Sequence, residues 1–99
     1  MNMNMNMIMQ QAQKMQKELK KAQEEIESKT FTSKKDLVEV EMYGNKQIKS
    51  IKISKDITSD DVEILEDMIT LAVNDTINQI NKETESKLGK FSGGLPGLF

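Results

Sequence analysis

The chain has 99 residues, enough for one modest core, and its composition, 36% apolar and 30% charged, is that of a folding chain rather than a disordered one. It contains no Cys and no His, which excludes a disulfide framework and a thiolate metal site and removes the commonest general base, so an enzymatic role loses most of its ground. All 14 basic residues are Lys and the formal net charge is −2; without Arg there is no planar fork to read guanine or to grip a phosphate at two points.

The opening "MNMNMNMIMQ" is apolar at alternate positions but lacks the basic region, continuous apolar core and cleavage site of a secretory signal. No run approaches the length of a membrane span, so the chain is expected to be cytoplasmic, with residues 1–7 a flexible extension. From Met5 onward Met5, Ile8, Ala12, Met15, Leu19, Ala22 and Ile26 are spaced by three and four residues in alternation. This seam of period 3.5 predicts a long helix reaching about Ser28. With Met15 at heptad position d, Lys14, Lys17, Lys20 and Lys21 fall at c, f, b and c, opposite the seam, while Gln16, Gln23, Glu18 and Glu25 flank it. The lysines are either the solvated face of an ordinary helix or an arm that contacts phosphates, and their spacing alone leaves both open.

Thr30 to Thr32 form a short β-branched and aromatic piece, followed by the polar break "SKKD". From Leu37 the period changes to two: Val38, Val40 and Met42 lie on one face, and Leu37, Glu39, Glu41 and Tyr43 on the other. The turn cluster "GNKQ" and the alternating "IKSIKIS" complete a hairpin over residues 37–54. A two-residue loop would set Val40 against Lys49. A four-residue loop, Gly44 to Gln47, pairs Val40 with Ile51, Val38 with Ile53 and Glu39 with Lys52, and is the one expected.

After Asp56 the sequence reads as a second long helix. Thr58 and Asp61 fit a capping pattern, and acidic residues load the first turn where the helix dipole favours them. Val62, Leu65, Met68, Ile69, Ala72, Val73, Thr76, Ile77 and Ile80 form a broad face suited to covering the sheet. Gly89 is expected to end this helix and residues 89–99, "GKFSGGLPGLF", to form a flexible Gly/Pro/Leu tail. The expected fold is α+β and a single domain over 1–99: a long N-terminal helix, a small three-stranded antiparallel sheet and a long C-terminal helix.

Charge is uneven, with residues 56–75 summing to −7 and the rest of the chain net positive. Asp56, Thr58 and Asp60 alternate as in a Ca²⁺ loop, but Asp61 stands where the turn needs Gly and Asp67 where a bidentate Glu belongs, so no metal site is expected. "GGLPGL" lacks the Lys and the following helix of a phosphate cradle. Asp75 with Asp67 or Glu66 would be the carboxylate pair of an enzyme; a role in hydrogen-bonding nearby backbone is preferred, and neither catalysis nor a cofactor is expected.

Taken together, "MIMQQAQKMQKELKKAQEEI", "LVEVEMYGNKQIKSIKIS", "LEDMITLAVNDTI" and "GGLPGLF" resemble, in order and over nearly the whole chain, the segments of the YbaB/EbfC nucleoid-associated proteins. The resemblance implies a bacterial, tweezer-like homodimer that binds double-stranded DNA and associates with the nucleoid, with no membrane and no small-molecule substrate. It also implies DNA-binding regions near the helix ends, which here carry Lys14, Lys17, Lys20, Lys21, Lys82, Lys87 and Lys90. The alternative from a different functional class is a protein-interaction adaptor using the heptad seam and the apolar tail.

Overall fold

The computed structural model of the chain describes residues 4–92, apart from the side chains of Lys90 and Ser92. The elements in order are α1 (Met5–Ser28), β1 (Thr30–Lys35), β2 (Val38–Tyr43), β3 (Ile48–Ile53) and α2 (Val62–Ser92), the last entered through a 3-10 turn at Ser59–Asp61. The strands make one antiparallel sheet in the order β1-β2-β3, so the expected α+β architecture is present.

The heptad seam folds as one helix. Asn4 caps it, its Oδ1 accepting the Asn6 N–H at 2.9 Å, and the chain leaves at Lys29 in extended geometry. Met5 to Met7, part of the expected flexible extension, therefore lie in α1, while residues 1–3 fall outside the described residues.

In the sheet, Val38 pairs with Ile53, Glu39 with Lys52 and Val40 with Ile51, the register that matched apolar to apolar and charge to opposite charge. Past Glu41 a bulge intervenes: Met42 faces Ile48, and Lys49 is the extra residue. The Lys49 ammonium turns to Glu41 at 3.1 Å. Lys46 sits in the left-handed region at φ 70° and donates its N–H to the Tyr43 carbonyl, closing the loop at Gly44 to Gln47.

The expected polar break "SKKD" is overturned. Ser33, Lys34 and Lys35 continue β1, and the connection to β2 shrinks to Asp36 and Leu37, with Asp36 at φ 48°, a conformation Asp tolerates better than most residues. The reason is tertiary. Ser33 points inward beside Phe31 and is buried, but its hydroxyl donates to Asp75 Oδ2 at 2.7 Å, so a polar residue is accepted on the core face.

α2 is the spine of the core, and its buried residues meet a different neighbour at each level. Ala72, with Leu65, Met68 and Ile69, covers Val38 and Val40. Ile80, with Val73 and Ile77, covers Phe31 and Met42. Leu88 and Phe91 meet Ile26 of α1, with Leu19 and Ala22 packed alongside. Thr76 is fully buried and satisfies its hydroxyl on the Ala72 carbonyl at 2.7 Å. Two details of the expected α2 fail. Val62 is exposed rather than part of the covering face, and the packed residues of α2 begin at Leu65. The helix also runs through Gly89 to Ser92, because burying Leu88 and Phe91, at about 1.5–3 kcal/mol each, outweighs the roughly 1 kcal/mol that a mid-helix Gly costs. Residues 93–99 of the expected tail lie outside the described residues.

Candidate functional site

A helix of 24 residues is about 36 Å long, yet among the described residues α1 is packed only from Leu19 onward, where Leu19, Ala22 and Ile26 meet Leu88 and Phe91. α1 runs toward the sheet and α2 away from it. The N-terminal half of α1 therefore projects past Ser92, the last described residue of α2, in a molecule whose described residues measure 75 × 20 × 14 Å. This half is an arm, and its chemistry follows from the sequence period: the seam residues Met5, Ile8 and Met15 are exposed on one side, and Lys14, Lys17, Lys20 and Lys21 lie exposed on the other.

The electrostatic state of those lysines matters most. Three ion pairs occur among the described residues: Lys29 with Glu83 at 2.6 Å, Lys49 with Glu41 at 3.1 Å and Lys35 with Asp75 at 3.7 Å. None involves the arm. Glu18, Glu24 and Glu25 stand four residues beyond Lys14, Lys20 and Lys21, within helical reach, but none closes an ion pair with them among the described residues. Between residues 4 and 21 the arm carries four lysines against one carboxylate, Glu18.

The lysines of α2 are not gathered with them into one cluster. Lys82 is exposed beside a shallow open groove shared with Lys29, Phe31, Gln79, Glu83 and Ser86, so it belongs to the sheet end of α2. Lys87 is exposed on the stretch that packs against α1, and the Lys90 side chain lies outside the described residues. Lys29 was missed by sequence reasoning: it leads from α1 into β1, its ammonium 5.3 Å from the centre of the Phe31 ring and bonded to Glu83. No spacing in the sequence marks that long-range pair.

Asp75, considered above as a catalytic carboxylate, is a clamp between α2 and β1. The Ser33 hydroxyl and the Gln79 amide both donate to its Oδ2, at 2.7 and 3.2 Å, and hold its carboxyl below the usual range, with Lys35 adding to the effect. Gln79 also reaches the Thr32 carbonyl at 3.1 Å. Asp61 is likewise structural, accepting the Thr58 N–H at 2.8 Å where the chain enters the 3-10 turn. Among the described residues no cluster of acidic side chains has the arrangement of a metal site, and no helix is long and apolar enough to cross a membrane.

A second surface went unnoticed in the sequence. Ile48, Ile51 and Ile53 of β3 pair with Met42, Val40 and Val38 and so share their face of the sheet. α2 lies across β1 and β2, so Met42, Val40 and Val38 are buried, whereas Ile51 and Ile53 are 40% and 41% exposed and Ile48 is 48% exposed. Alternation placed Ile51 and Ile53 on this face, but the bulge at Lys49 brings Ile48 to it as well, and nothing in the sequence showed how far one helix would reach across it. Ile64 and Leu71 are also exposed, and their seven-residue spacing away from the buried face of α2 was the available signal.

Comparison with known proteins gives a consistent result. Residues 1–95 match the profile of the YbaB/EbfC DNA-binding family. The chain is 52% identical over 97 residues to a nucleoid-associated protein of Lactococcus lactis subsp. cremoris, with 95% of this chain and 98% of that protein covered. A nucleoid-associated protein of Enterococcus faecalis is 42% identical over 98 residues, covering 96% of this chain and 94% of its own. The crystal structure of an uncharacterized Helicobacter pylori protein shares the fold with a TM-score of 0.71 at 18% identity, covering 93% of this chain and all of its own.

Proposed function

Because the chain belongs to the YbaB/EbfC DNA-binding family, we propose that it is a nucleoid-associated protein that binds duplex DNA as a homodimer, chiefly through phosphate contacts and with little base reading. The observation that carries this reading is the arm: Lys14, Lys17, Lys20 and Lys21 project from the body, exposed and without an internal ion pair among the described residues. Lysine ammonium groups of this kind neutralise phosphates as point charges and release counterions. The absence of Arg removes the side chain that most often reads guanine, so contact energy is spread along the backbone of the duplex. Lys82 and Lys87, both exposed, extend the cationic surface along α2, and Lys90 is a further candidate from the sequence.

The homodimer is supported by the three uncovered isoleucines of β3. They form an apolar strip on an edge strand, with the company of a core face but, among the described residues, no helix above it. A two-fold axis through such a strip would bring it against itself and set two arms on one molecule. Neither a small-molecule substrate, a cofactor nor a membrane forms part of this function.

The test is an anisotropy titration with two unrelated duplexes at two salt concentrations. Comparable affinities that weaken steeply with salt support the proposal; absence of binding at physiological salt overturns it. That outcome would favour the second reading, an adaptor that engages another protein. The bare stretch of seam at Met5, Ile8 and Met15 is the observation in its favour.

A further inference from the structure

The heptad seam of α1 is divided in two. Its lower part is covered by α2, but the upper part, Met5, Ile8, Ala12 and Met15, is covered by nothing among the described residues, with Met15 49% exposed and Met5 67% exposed. An apolar line of period 3.5 is the geometry of a helix that meets another helix. What meets it is indicated by the residues themselves.

Residues 4–13 carry no charge, and the positions flanking the bare seam are Asn4, Met9, Gln11 and Gln16. A second copy of the same surface therefore meets no like-charge repulsion, whereas a charged partner helix finds no complement there. The seam is also self-complementary in size. Placed antiparallel about residue 10, two copies oppose Met5 to Met15 and Ile8 to Ala12, large beside small in the inner layers and two adaptable thioethers in the outer ones. In antiparallel coiled coils position a faces position d, and these pairs obey that rule: Met5 and Ala12 are a, Ile8 and Met15 are d. The length fits as well. The helix start of one copy at Met5 reaches Met15 of the other and stops short of Leu19, where α2 begins to cover the seam.

We propose that the free halves of two α1 arms, from different molecules, pair antiparallel through Met5, Ile8, Ala12 and Met15. The contact spans about 16 Å, from the 1.5 Å rise per residue, and is short enough to be weak between free molecules and effective where copies are already crowded. Lys14, Lys17 and Lys20 and Lys21 lie on the opposite side of each arm, so the pair presents cationic faces on both flanks. This consequence rests on the DNA-binding reading and gives a joint that holds two duplexes together; the pairing itself does not depend on it.

The chain has no native Cys, so disulfide trapping without DNA tests the pairing alone. An equimolar mixture of Ile8→Cys and Ala12→Cys chains, oxidised mildly, is expected to give the mixed cross-linked species on a non-reducing gel, with little self-linked Ile8→Cys. Dominant Ile8→Cys self-linking would mean a parallel arrangement, and no linking of either kind would mean no arm contact; either result overturns the proposal. The variant Ile8→Gln/Met15→Gln changes only exposed residues and should keep its circular dichroism spectrum. It is expected to require at least ten-fold more protein for higher-order association in sedimentation; an unchanged concentration dependence overturns the proposal. With DNA, the same variant should bind a single duplex as before but lose the joining of two differently labelled duplexes. Absence of single-duplex binding by the wild-type protein would count against the DNA reading and leave the arm contact, read by cross-linking and sedimentation, standing.

Discussion

Gly44 and Asp75 show how much of the fold depends on single side chains. At Gly44 a Cβ would lie 1.7 Å from the Ile26 carbonyl oxygen, a contact that backbone must move to relieve. The Gly44 N–H donates to the Lys29 carbonyl at 2.9 Å, so the β2–β3 loop is seated on the end of α1 and fixes where the arm departs. Gly44→Ala is expected to cost about 1–3 kcal/mol, read as a lowered urea midpoint with unchanged slope. Asp75 acts through charge. Its folded pKa lies below the unfolded value near 3.9, so the stability it contributes is present above that value and is lost as pH falls through the folded pKa. Asp75→Asn should therefore unfold at a lower temperature than wild type at pH 7, and the difference should narrow as the medium is acidified below pH 4. A difference that stays constant down to pH 2 would contradict the clamp.

At the scale of elements, the two helices make opposite demands. α2 is held by packing along most of its length, which is why it tolerates Gly89 in its last turns. An added Cβ there meets nothing within 4 Å, so Gly89→Ala should raise stability by about 0.5–1 kcal/mol, observable as a higher thermal midpoint. Among the described residues α1 is held by packing only from Leu19 onward, and its exposed lysines contribute little to the fold. Replacing Lys14, Lys17, Lys20 and Lys21 together with Gln is expected to leave the melting temperature nearly unchanged. The same change should reduce the slope of log affinity against log salt by about 0.9 for each lost phosphate contact. Undiminished DNA binding by this variant would rule out the arm as the contact surface.

For the whole molecule, the question is how an acidic chain approaches a polyanion. The answer in the structure is segregation: the block of seven net negative charges occupies the start of α2 and the segment leading into it, while the arm that projects farthest from it is cationic. The proposed dimer would double that asymmetry. If the isoleucines of β3 form its interface, Ile51→Lys or Ile53→Lys should weaken self-association by about 2 kcal/mol, roughly thirty-fold, seen as a monomer in sedimentation at concentrations where wild type is a dimer. Salt sensitivity of DNA binding should fall with it, because one arm neutralises fewer phosphates than two.

The sequence by itself determined what short-range periodicity can express. The heptad spacing gave the extent of α1 and the side its lysines occupy, and alternation with charge matching gave the β2–β3 register down to the pairs Val38 with Ile53 and Glu39 with Lys52. These depend on residues close in sequence or joined by one tight loop. The tertiary structure decided everything that rests on a distant partner. Ser33 became part of a strand because Asp75 and Gln79 lie beneath it, Gly89 stayed helical because Phe91 beyond it meets α1, and Lys29 is paired because Glu83 stands beside it. Coverage also needed the third dimension: whether an isoleucine is core or surface depends on where a helix stops. For this chain the arm is the part of α1 that no described residue of α2 covers, and no local pattern of residues marks where that part begins.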